Sequence, residues 1–200
     1  KLLNLKASPK PVSLKIGLSF VSAENARENL QQEIGNKTFE EVHLAAEKTW
    51  DAVLSKIQVS GGSRKEKELF YSSLYRSMQW PALRSDYNGQ FTDAQGTVQN
   101  KGFRYYTNPS LWDTYRNKLV VLSLLAPEVT GDIIQSLIDK GTHSGFMPTF
   151  FHGDHAAPFV TQAYGKGITN FDVKKAYKLL LNNAYKEGGT RPHIAEYIEK

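Results

Sequence analysis

The sequence of 200 residues contains no cysteine and only two methionines. The absence of cysteine excludes disulfide bonds, thiol nucleophiles and metal sites built from thiolates. No apolar run approaches the roughly 18 residues that a membrane-spanning helix requires, and no signal-peptide pattern is present. A Gly-x-Ser-x-Gly motif and a phosphate-binding loop followed by a helix start are also missing. The 40% of hydrophobic and 22% of charged residues are nevertheless typical of a folded globular chain.

The sequence also has no large excess of either positive or negative charge. The sequence has 25 lysines and arginines against 20 acidic residues, a net charge of +5, and the basic residues are scattered among the acidic ones. Nucleic-acid-binding domains more often show a clustered basic stripe, so this pattern argues against a nucleic-acid partner. The aromatic content, 10 Phe, 10 Tyr and 3 Trp, suits a large core or a carbohydrate site.

Local patterns predict a mainly helical chain after a short extended start. Apolar and polar residues alternate over residues 12–20, which predicts a half-buried strand whose partner lies elsewhere. Capping sequences then predict helix starts at Ser22, with a stop at Gly35, at Thr38 with Glu41, and at Ser63 with Glu66. Further helices are predicted over 110–125, from Pro127 to Gly141, over 156–164, over 172–185 and from His193 onward.

Residues 82–107 interrupt the helical pattern. Within them, Asn88-Gly89 predicts a hairpin turn between residues 85–87 and 90–92. Consecutive amphipathic helices joined by short turns indicate antiparallel neighbours, as in a helical toroid or an irregular bundle.

Asp113 is the first candidate for a binding residue. The apolar residues that follow it fall on nearly all sides of a helical wheel, which predicts a buried helix with Asp113 on the same side as Val120 and Leu124. A buried carboxylate is costly unless it is paired or hydrogen-bonded. Asp113 therefore either faces a ligand, caps the helix, or forms a structural pair with Arg116.

Trp112, next to this carboxylate, is open to two interpretations. A lone tryptophan is more often a core residue than a binding platform. Beside a buried aspartate, and preceded by Tyr105 and Tyr106, it also fits a sugar site in which an aromatic face contacts C–H groups and carboxylates bind hydroxyls.

A second polar group consists of His152, Asp154 and His155. This combination suggests a metal site, and its spacing matches part of the His-x-His-x-Asp-His motif of metallo-β-lactamase-like hydrolases. Position 150, where that motif has its first ligand, is however Phe. The helical periodicity also disagrees with the βαββα sandwich of those metallohydrolases. The alternative is a loop that leads into a helix, with Asp154 or His155 near the N-cap and directed into a cleft.

Five segments stand in a characteristic order along the chain. They are SFVSAENARENLQQEIG from Ser19, W-x(3)-L-x-K-I-x-V-x-G-G from Trp50, FYSSLYRS from Phe70, SLWDTYR from Ser110 and GDHAAPFVTQAYGKGITNFD from Gly153. In this order they resemble the calcium-dependent exo-α-mannosidases of glycoside hydrolase family 92. A Trp-Asp pair like that of SLWDTYR also occurs in other helical-toroid glycosidases, whereas the ordered set is much more specific.

The resemblance implies a mainly α fold that forms part of an (α/α)6 toroid of antiparallel helices, with an N-terminal strand left from a β-sandwich domain. Residues 1–21 would be the tail of that sandwich and a linker. Residues 22–200 would be the first part of the toroid, which is the catalytic domain and is incomplete here.

The resemblance also implies an enzyme, an inverting glycosidase that removes terminal α-linked mannose, often α-1,2-linked, from mannan or N-glycans. Asp113, which matches the Trp-Asp motif of the family, would hold hydroxyls of the terminal mannose. Trp112 and Arg116 would shape the pocket, and His155, in the Gly-x-His element, would contribute with Asp154 to substrate binding.

The catalytic residues of the family have no counterpart in this sequence. Its general acid is a glutamate in an Asn-Glu-Pro motif and its base is an aspartate in a later acidic, glycine-rich motif, and neither motif occurs between Lys1 and Lys200. The resemblance implies that both residues follow Lys200 in a longer polypeptide. Since inverting hydrolysis needs two carboxyl groups roughly 6.5–9.5 Å apart, we expect the 200-residue chain alone to be inactive.

Calcium is the cofactor that the resemblance implies. Its ligands are expected mostly outside this chain, and no metal ligand is assigned. Hard oxygen ligands, which calcium prefers, do not require the missing cysteine.

The implied partners are mannose-containing glycans and the remainder of the same polypeptide, with no nucleic acid and no membrane span. The usual polymeric substrates of such enzymes imply a periplasmic or secreted location. Two alternative functions stay open, namely a non-catalytic helical carbohydrate-binding module and a metallohydrolase that uses His152, Asp154 and His155.

Overall fold

A computed structural model describes residues 12–149, 153–189 and Glu196. These residues are mainly helical, as predicted, with one small sheet. The helices are α1 (Ala23–Glu33), α2 (Phe39–Leu54), α3 (Arg64–Ser77), α4 (Leu111–Thr114), α5 (Lys118–Leu125), α6 (Pro127–Ser144), α7 (Ala156–Gly165) and α8 (Val173–Tyr185), and the strands are β1 (Phe91–Thr92) and β2 (Val98–Gln99). None of the helices in the described ranges is both long and apolar enough to cross a membrane.

The first three helices begin at the capping residues that the sequence predicts. The Ser22 side chain accepts a backbone N–H of α1. At the start of α2, the Thr38 hydroxyl accepts the Glu41 N–H, and the Glu41 carboxylate accepts the Thr38 N–H at 2.8 Å. Ser63 and Glu66 form the same reciprocal box at the start of α3. Each box satisfies N–H groups that have no partner within the helix.

Residues 12–20 are extended but pair with no strand among the residues that the structure describes, so the predicted strand is not observed there. Their alternating apolar side chains are 60% to 77% exposed. The segment lies against α1 instead. The Asn29 amide donates to the Leu18 carbonyl at 2.8 Å, and a Cβ at Gly17 would overlap the Ala26 carbonyl oxygen.

The hairpin forms later in the chain than predicted. β1 and β2 are antiparallel, and Asp93 organises the turn between them. Its carboxylate accepts the backbone N–H groups of Gln95 and Thr97, each at 2.9 Å. Asn88-Gly89 forms a separate turn before β1. The predicted turn at Asn88-Gly89 is confirmed, since the Gly89 N–H donates to the Asp86 carbonyl at 2.9 Å and the Asp86 N–H donates to the Gln90 carbonyl at 2.8 Å. The predicted strand pair on either side of it is wrong, because β1 pairs across the turn at Asp93 instead.

The core is centred on α6, which packs against α5, α7 and α8. Its predicted apolar stripe is confirmed by side chains that are at most 1% exposed, namely Ile133, Ile134, Leu137 and Ile138. The helix does not end at Gly141, as predicted, but continues to Ser144 and stops at Gly145, where φ is +80°. Gly141 instead permits close packing, because a Cβ there would overlap the Phe146 carbonyl oxygen.

α7 and α8 lie where the sequence predicts them. Asp172 caps α8 by accepting the Lys175 N–H at 2.9 Å. The predicted helix from His193 lies outside the described residues, apart from Glu196, which is helical. The division of the chain at residue 21 and the closure of the helices into a toroid stay predictions.

Candidate functional site

The segment from Ser110 to Lys118 forms a short helix and a turn. α4 ends at Thr114, residues 115–117 form the turn, and α5 begins at Lys118. Asn117 supports the break because its side-chain oxygen accepts the Lys118 N–H at 2.6 Å. The prediction of one continuous helix over 110–125 is therefore wrong.

Asp113 lies on the surface of α4, so the prediction that it is buried is also wrong. The helical wheel puts Asp113 on the same side as Leu124. Leu124 is 66% exposed, so this side does not face the core. Asp113 Oδ2 accepts the Ser110 hydroxyl at 2.5 Å. No ion pair joins Asp113 to Arg116 in the described part of the chain. The second carboxylate oxygen is thus accessible to a ligand.

Trp112 and Arg116 lie on either side of Asp113 in the sequence, and both are exposed. Trp112 is 40% exposed, which excludes its interpretation as a core residue. The Arg116 guanidinium carbon lies 5.7 Å from the centroid of the Tyr115 ring. The three residues predicted to bind a terminal sugar therefore share one accessible turn of the chain.

Tyr115 connects this turn to the Gly-Asp-His segment. Its ring centroid lies 4.6 Å from that of His155, with an interplanar angle of 41°. His155 precedes α7 as its N-cap residue, and its Nδ1 is buried without a hydrogen-bond partner among the described residues. The geometry brings together two polar groups that lie about forty residues apart in the sequence. Sequence analysis missed Tyr115 as the residue that joins them.

The backbone at Gly153 is adapted to this arrangement. Its φ is +71°, and a Cβ there would lie 3.0 Å from Cε1 of the His155 ring. A side chain at position 153 would therefore be strained and would press on the histidine. Glycine leaves the imidazole free to lie against Tyr115.

Asp154 belongs to a structural network that reaches α8. Its Oδ1 accepts the Asn183 amide at 3.3 Å, and the same amide donates to the Met147 carbonyl at 2.9 Å. These bonds link the loop before α7 to the helix behind it. The substrate-binding role of Asp154 stays a prediction.

The described residues contain no metal-binding cluster of histidine and carboxylate side chains. Across residues 12–149, 153–189 and 196, no three histidine or carboxylate side chains are grouped so that they could hold an ion. His152, the remaining member of the suggested metal group, lies outside these ranges. Calcium, which the resemblance implies with ligands mostly outside this chain, stays a prediction.

The general acid and base that the resemblance implies are likewise not among the residues of this site. They are expected after Lys200, the last residue of the sequence, and Lys200 itself lies outside the described residues. No catalytic residue is therefore assigned within the chain, and the position of the acid and base stays a prediction.

Tyr105 and Tyr106, which precede the site in sequence, are both buried. Tyr105 stacks on Phe91 at a centroid distance of 4.1 Å and lines a pocket together with Lys140. Burial raises the pKa of the Tyr105 phenol well above its usual range and lowers the pKa of Lys140 to about 8. Sequence analysis missed Lys140, although it lies seven residues after Ile133 on the apolar stripe of α6.

A family model, the glycosyl hydrolase family 92 catalytic domain, matches residues 25–200. The chain belongs to glycosyl hydrolase family 92. The resemblance seen in the sequence is thereby confirmed, and the family 92 match includes all five residues predicted to bind substrate.

Solved structures of family 92 proteins have the same fold. The GH92 α-mannosidase BT3965 from Bacteroides thetaiotaomicron is 30% identical and aligns with a TM-score of 0.80 over 85% of this chain. The same enzyme in complex with mannoimidazole aligns with a TM-score of 0.78 over 83% of the chain. The GH92 glycosyl hydrolase ccman5 is 27% identical, with a TM-score of 0.68 over 86% of the chain.

One curated relative is also named a glycosidase. An uncharacterized secreted glycosidase from Arthroderma benhamiae is 28% identical over 88% of this chain. The chain spans 20% of that relative's length and 24% of the length of BT3965. This family 92 chain is thus about a quarter or less of the length of the relatives it matches.

Proposed function

We propose that this chain is part of the catalytic region of an inverting exo-α-mannosidase that releases terminal, α-1,2-linked mannose from mannan or N-glycans. The observation that carries the proposal is the likeness to an α-mannosidase, with a TM-score of 0.80 over 85% of the chain. A complex of that relative with mannoimidazole supports mannose as the sugar.

Helix α4 and the turn that follows it supply the chemistry that the proposal needs. The free Asp113 oxygen accepts hydroxyl hydrogen bonds from the terminal mannose, and a charged acceptor makes such bonds stronger than a neutral one does. The Arg116 guanidinium donates to sugar oxygens, and the Trp112 indole packs on the apolar face of the ring. The unpartnered Nδ1 of His155 offers a further polar contact beside Tyr115.

The two carboxyl groups that perform the hydrolysis are proposed to come from polypeptide that follows Lys200. One protonates the leaving oxygen and the other activates water on the opposite face of the sugar, at a separation of roughly 6.5–9.5 Å. Calcium is proposed to be held there as well, by hard oxygen ligands. The role of this chain is then to bind and orient the terminal mannose.

The remainder of the polypeptide is the proposed partner of this chain. α2 has no buried residue, which is unusual for a helix in a finished domain and supports a further covering element. A secreted or periplasmic location is proposed because the substrates are polymeric and one relative is named a secreted glycosidase.

Mannose binding by the 200-residue chain tests the proposal. We expect mannose to shift the amide resonances of residues 111–117 and 153–157 in a ¹H–¹⁵N NMR titration. Asp113→Asn should raise the dissociation constant for mannose by about tenfold or more, since a charge-assisted acceptor is lost. Asp51→Asn, which changes an exposed carboxylate in α2, is the matched control and should bind like the wild type.

Two results would contradict the proposal. One is a folded chain whose resonances do not respond to mannose, and the other is an Asp113→Asn variant that binds as tightly as the wild type. Hydrolysis of an aryl α-mannoside by the pure 200-residue chain would overturn the assignment of acid and base to other parts of the polypeptide.

A further inference from the structure

A pocket of about 470 Å³ lies between α6, the turn of the β1–β2 hairpin and the segment that follows α3. Its wall contains two positively charged side chains, Arg84 and Lys140, and one carboxylate, Asp93. Trp80 and Tyr105 supply aromatic surface. None of the residues predicted to bind mannose lines this pocket.

Among the described residues, the two cations contact uncharged groups. Lys140 Nζ donates to the Tyr106 carbonyl and lies 4.7 Å from the centroid of the Tyr105 ring. The Arg84 guanidinium carbon lies 3.6 Å from the centroid of the Phe20 ring. No ion pair involves Arg84 or Lys140 among the residues that the structure covers. Both therefore keep donor groups for a ligand.

The carboxylates near the pocket are already engaged. Asp93 accepts two backbone N–H groups of its own turn and, at 3.0 Å, the Gln99 side-chain amide. Asp139 is paired with Lys101. Both carboxylates are thus engaged elsewhere, and among the described residues neither forms an ion pair with Arg84 or Lys140.

A third donor is left without a partner in the same wall. Tyr105 is only 4% exposed, and its hydroxyl is buried with no hydrogen bond to any described residue. An unsatisfied buried hydroxyl costs free energy, so its presence beside two unpaired cations indicates a site that an acceptor completes.

We propose that this pocket binds an oxyanion, a carboxylate or phosphate group carried by a small molecule or a glycan, through Lys140, Arg84 and the Tyr105 hydroxyl. All three groups donate hydrogen bonds, and a negatively charged oxygen accepts charge-assisted bonds from the two cations. The partly exposed Trp80 ring packs on the uncharged part of the ligand. This site goes beyond the mannosidase proposal and does not depend on it.

NMR titration of the full 200-residue chain at constant ionic strength tests this proposal. The probes are inorganic phosphate and D-glucuronate, which separate the two sources of oxyanion, with neutral D-mannose as the comparison. We expect at least one anion to shift the amide resonances of residues 84, 93, 105–107 and 140, and mannose to leave them unchanged. A response to phosphate alone, to glucuronate alone or to both supports the proposal and identifies the preferred oxyanion.

The test uses variants in two separate parts of the chain, at Lys140 in α6 and at Arg84 after α3. If one variant fails to fold, the other still tests the proposal. Lys140→Met and Arg84→Gln should each raise the dissociation constant for the anion by about tenfold, and Tyr105→Phe should raise it by a smaller factor. Lys67→Met removes an exposed cation of α3 that does not line the pocket, and it should bind like the wild type. Equal weakening by Lys67→Met, an equal response to mannose, or no response to either anion would overturn the proposal.

Discussion

Asp86 is a buried carboxylate that joins three parts of the chain. It accepts the Ser19 hydroxyl at 2.6 Å and the side-chain amides of Asn25 and Asn29, each at 2.8 Å. These bonds fasten the extended segment and α1 to the turn before β1. A single side chain therefore anchors the end of the segment at Ser19, whereas the apolar side chains of residues 12–20 stay exposed.

We expect Asp86→Ala to lower the free energy of unfolding by about 3 kcal/mol, because buried donors lose a charged acceptor. Denaturant-induced unfolding followed by circular dichroism measures the change. Asp51→Ala, at an exposed position of α2, should change the same quantity by about 0.5 kcal/mol or less. Equal unfolding midpoints for Asp86→Ala and the wild type would contradict the role of Asp86.

Lys140 gives the stability of the chain a pH dependence on the alkaline side. Burial lowers its pKa from 10.5 to about 8, so above pH 8 the unfolded state binds more protons than the folded state. Stability therefore rises with pH in this window. The raised pKa of Tyr105 has the opposite effect on stability. Above pH 10.0, the ordinary pKa of tyrosine, the folded state binds more protons than the unfolded state. The increase of stability with pH should therefore stop near pH 10.0.

Between pH 8 and 10, we expect the free energy of unfolding to increase by up to about 1.4 kcal/mol per pH unit. Denaturant unfolding at a series of pH values measures the slope. Lys140→Met should flatten it, whereas Lys67→Met, at an exposed position of α3, should retain it. A Lys140→Met variant with the wild-type slope would rule out this lysine as the source.

At the residue scale, a motif predicted Asp113, Trp112 and Arg116 as sugar-binding residues, a role that stays a prediction. The helical wheel placed Asp113 in the wrong environment, because this residue is exposed. A helical wheel assumes one uninterrupted helix, and the turn at residues 115–117 invalidates that assumption. The contact of Tyr115 with His155 could not be predicted, because it depends on how α4 and α7 are placed by the core between them.

The capping boxes show how local chemistry fixes whole elements. At the start of α3 the Ser63 hydroxyl accepts the Glu66 N–H at 3.3 Å, and the Ser63 N–H bond lowers the pKa of Glu66. Ser72, inside the same helix, donates only to the Glu68 carbonyl. The same substitution at the two serines therefore separates the cap from intrinsic helix propensity.

We expect Ser63→Ala to lower the free energy of unfolding by about 1 kcal/mol, the usual cost of losing a side-chain cap. Ser72→Ala should raise it slightly, by about 0.5 kcal/mol at most, because alanine is the better helix former. Thermal unfolding followed by circular dichroism distinguishes the two. If both variants shifted in the same direction and by the same amount, the cap would not be contributing.

Gly141 and Gly165 are helical glycines with opposite surroundings. A Cβ at Gly141 would overlap the Phe146 carbonyl oxygen and meet Leu179 Cδ1 at 3.1 Å, whereas a Cβ at Gly165 would meet nothing within 4 Å. The first contact is with backbone, which cannot rotate away.

We therefore expect Gly141→Ala to destabilise the fold by about 2 kcal/mol through overpacking. Gly165→Ala should stabilise it by about 0.5 kcal/mol through lower backbone entropy in the unfolded chain. Urea unfolding of both variants checks the pair. A neutral Gly141→Ala would show that α6 and α8 are not packed as closely as the structure indicates.

At the element scale, helix starts could be predicted because a cap and its partner lie within four residues of each other. Helix ends and strand register could not. Gly141 looks like a stop signal, yet it serves interhelical packing, and the stop is Gly145 in the left-handed conformation. The hairpin was misplaced because the carboxylate of Asp93 organises its turn, while Asn88-Gly89 forms a turn of its own.

At the scale of the whole molecule, burial is uneven. α5, α6, α7 and α8 share one core, whereas α2 and α3 contribute few buried residues and carry large exposed side chains. Leu44 is 54% exposed and Leu69 is 68% exposed. An apolar surface of this kind marks a contact for another element, which agrees with the proposal that further polypeptide covers these helices.

This uneven burial predicts how the isolated chain behaves in solution. We expect the double variant Leu44→Ser, Leu69→Ser to bind less of a hydrophobic dye such as ANS than the wild type, because it removes apolar surface that is already in contact with water. Its free energy of unfolding should stay within about 1 kcal/mol of the wild-type value, since neither side chain is in the core.

Leu137→Ser is the contrasting variant. This side chain is 1% exposed, so its replacement should lower stability by about 3 kcal/mol and increase dye binding. If the double variant bound as much dye as the wild type, the exposed surface of α2 and α3 would not be the binding surface, and the case for a covering partner on these helices would fail.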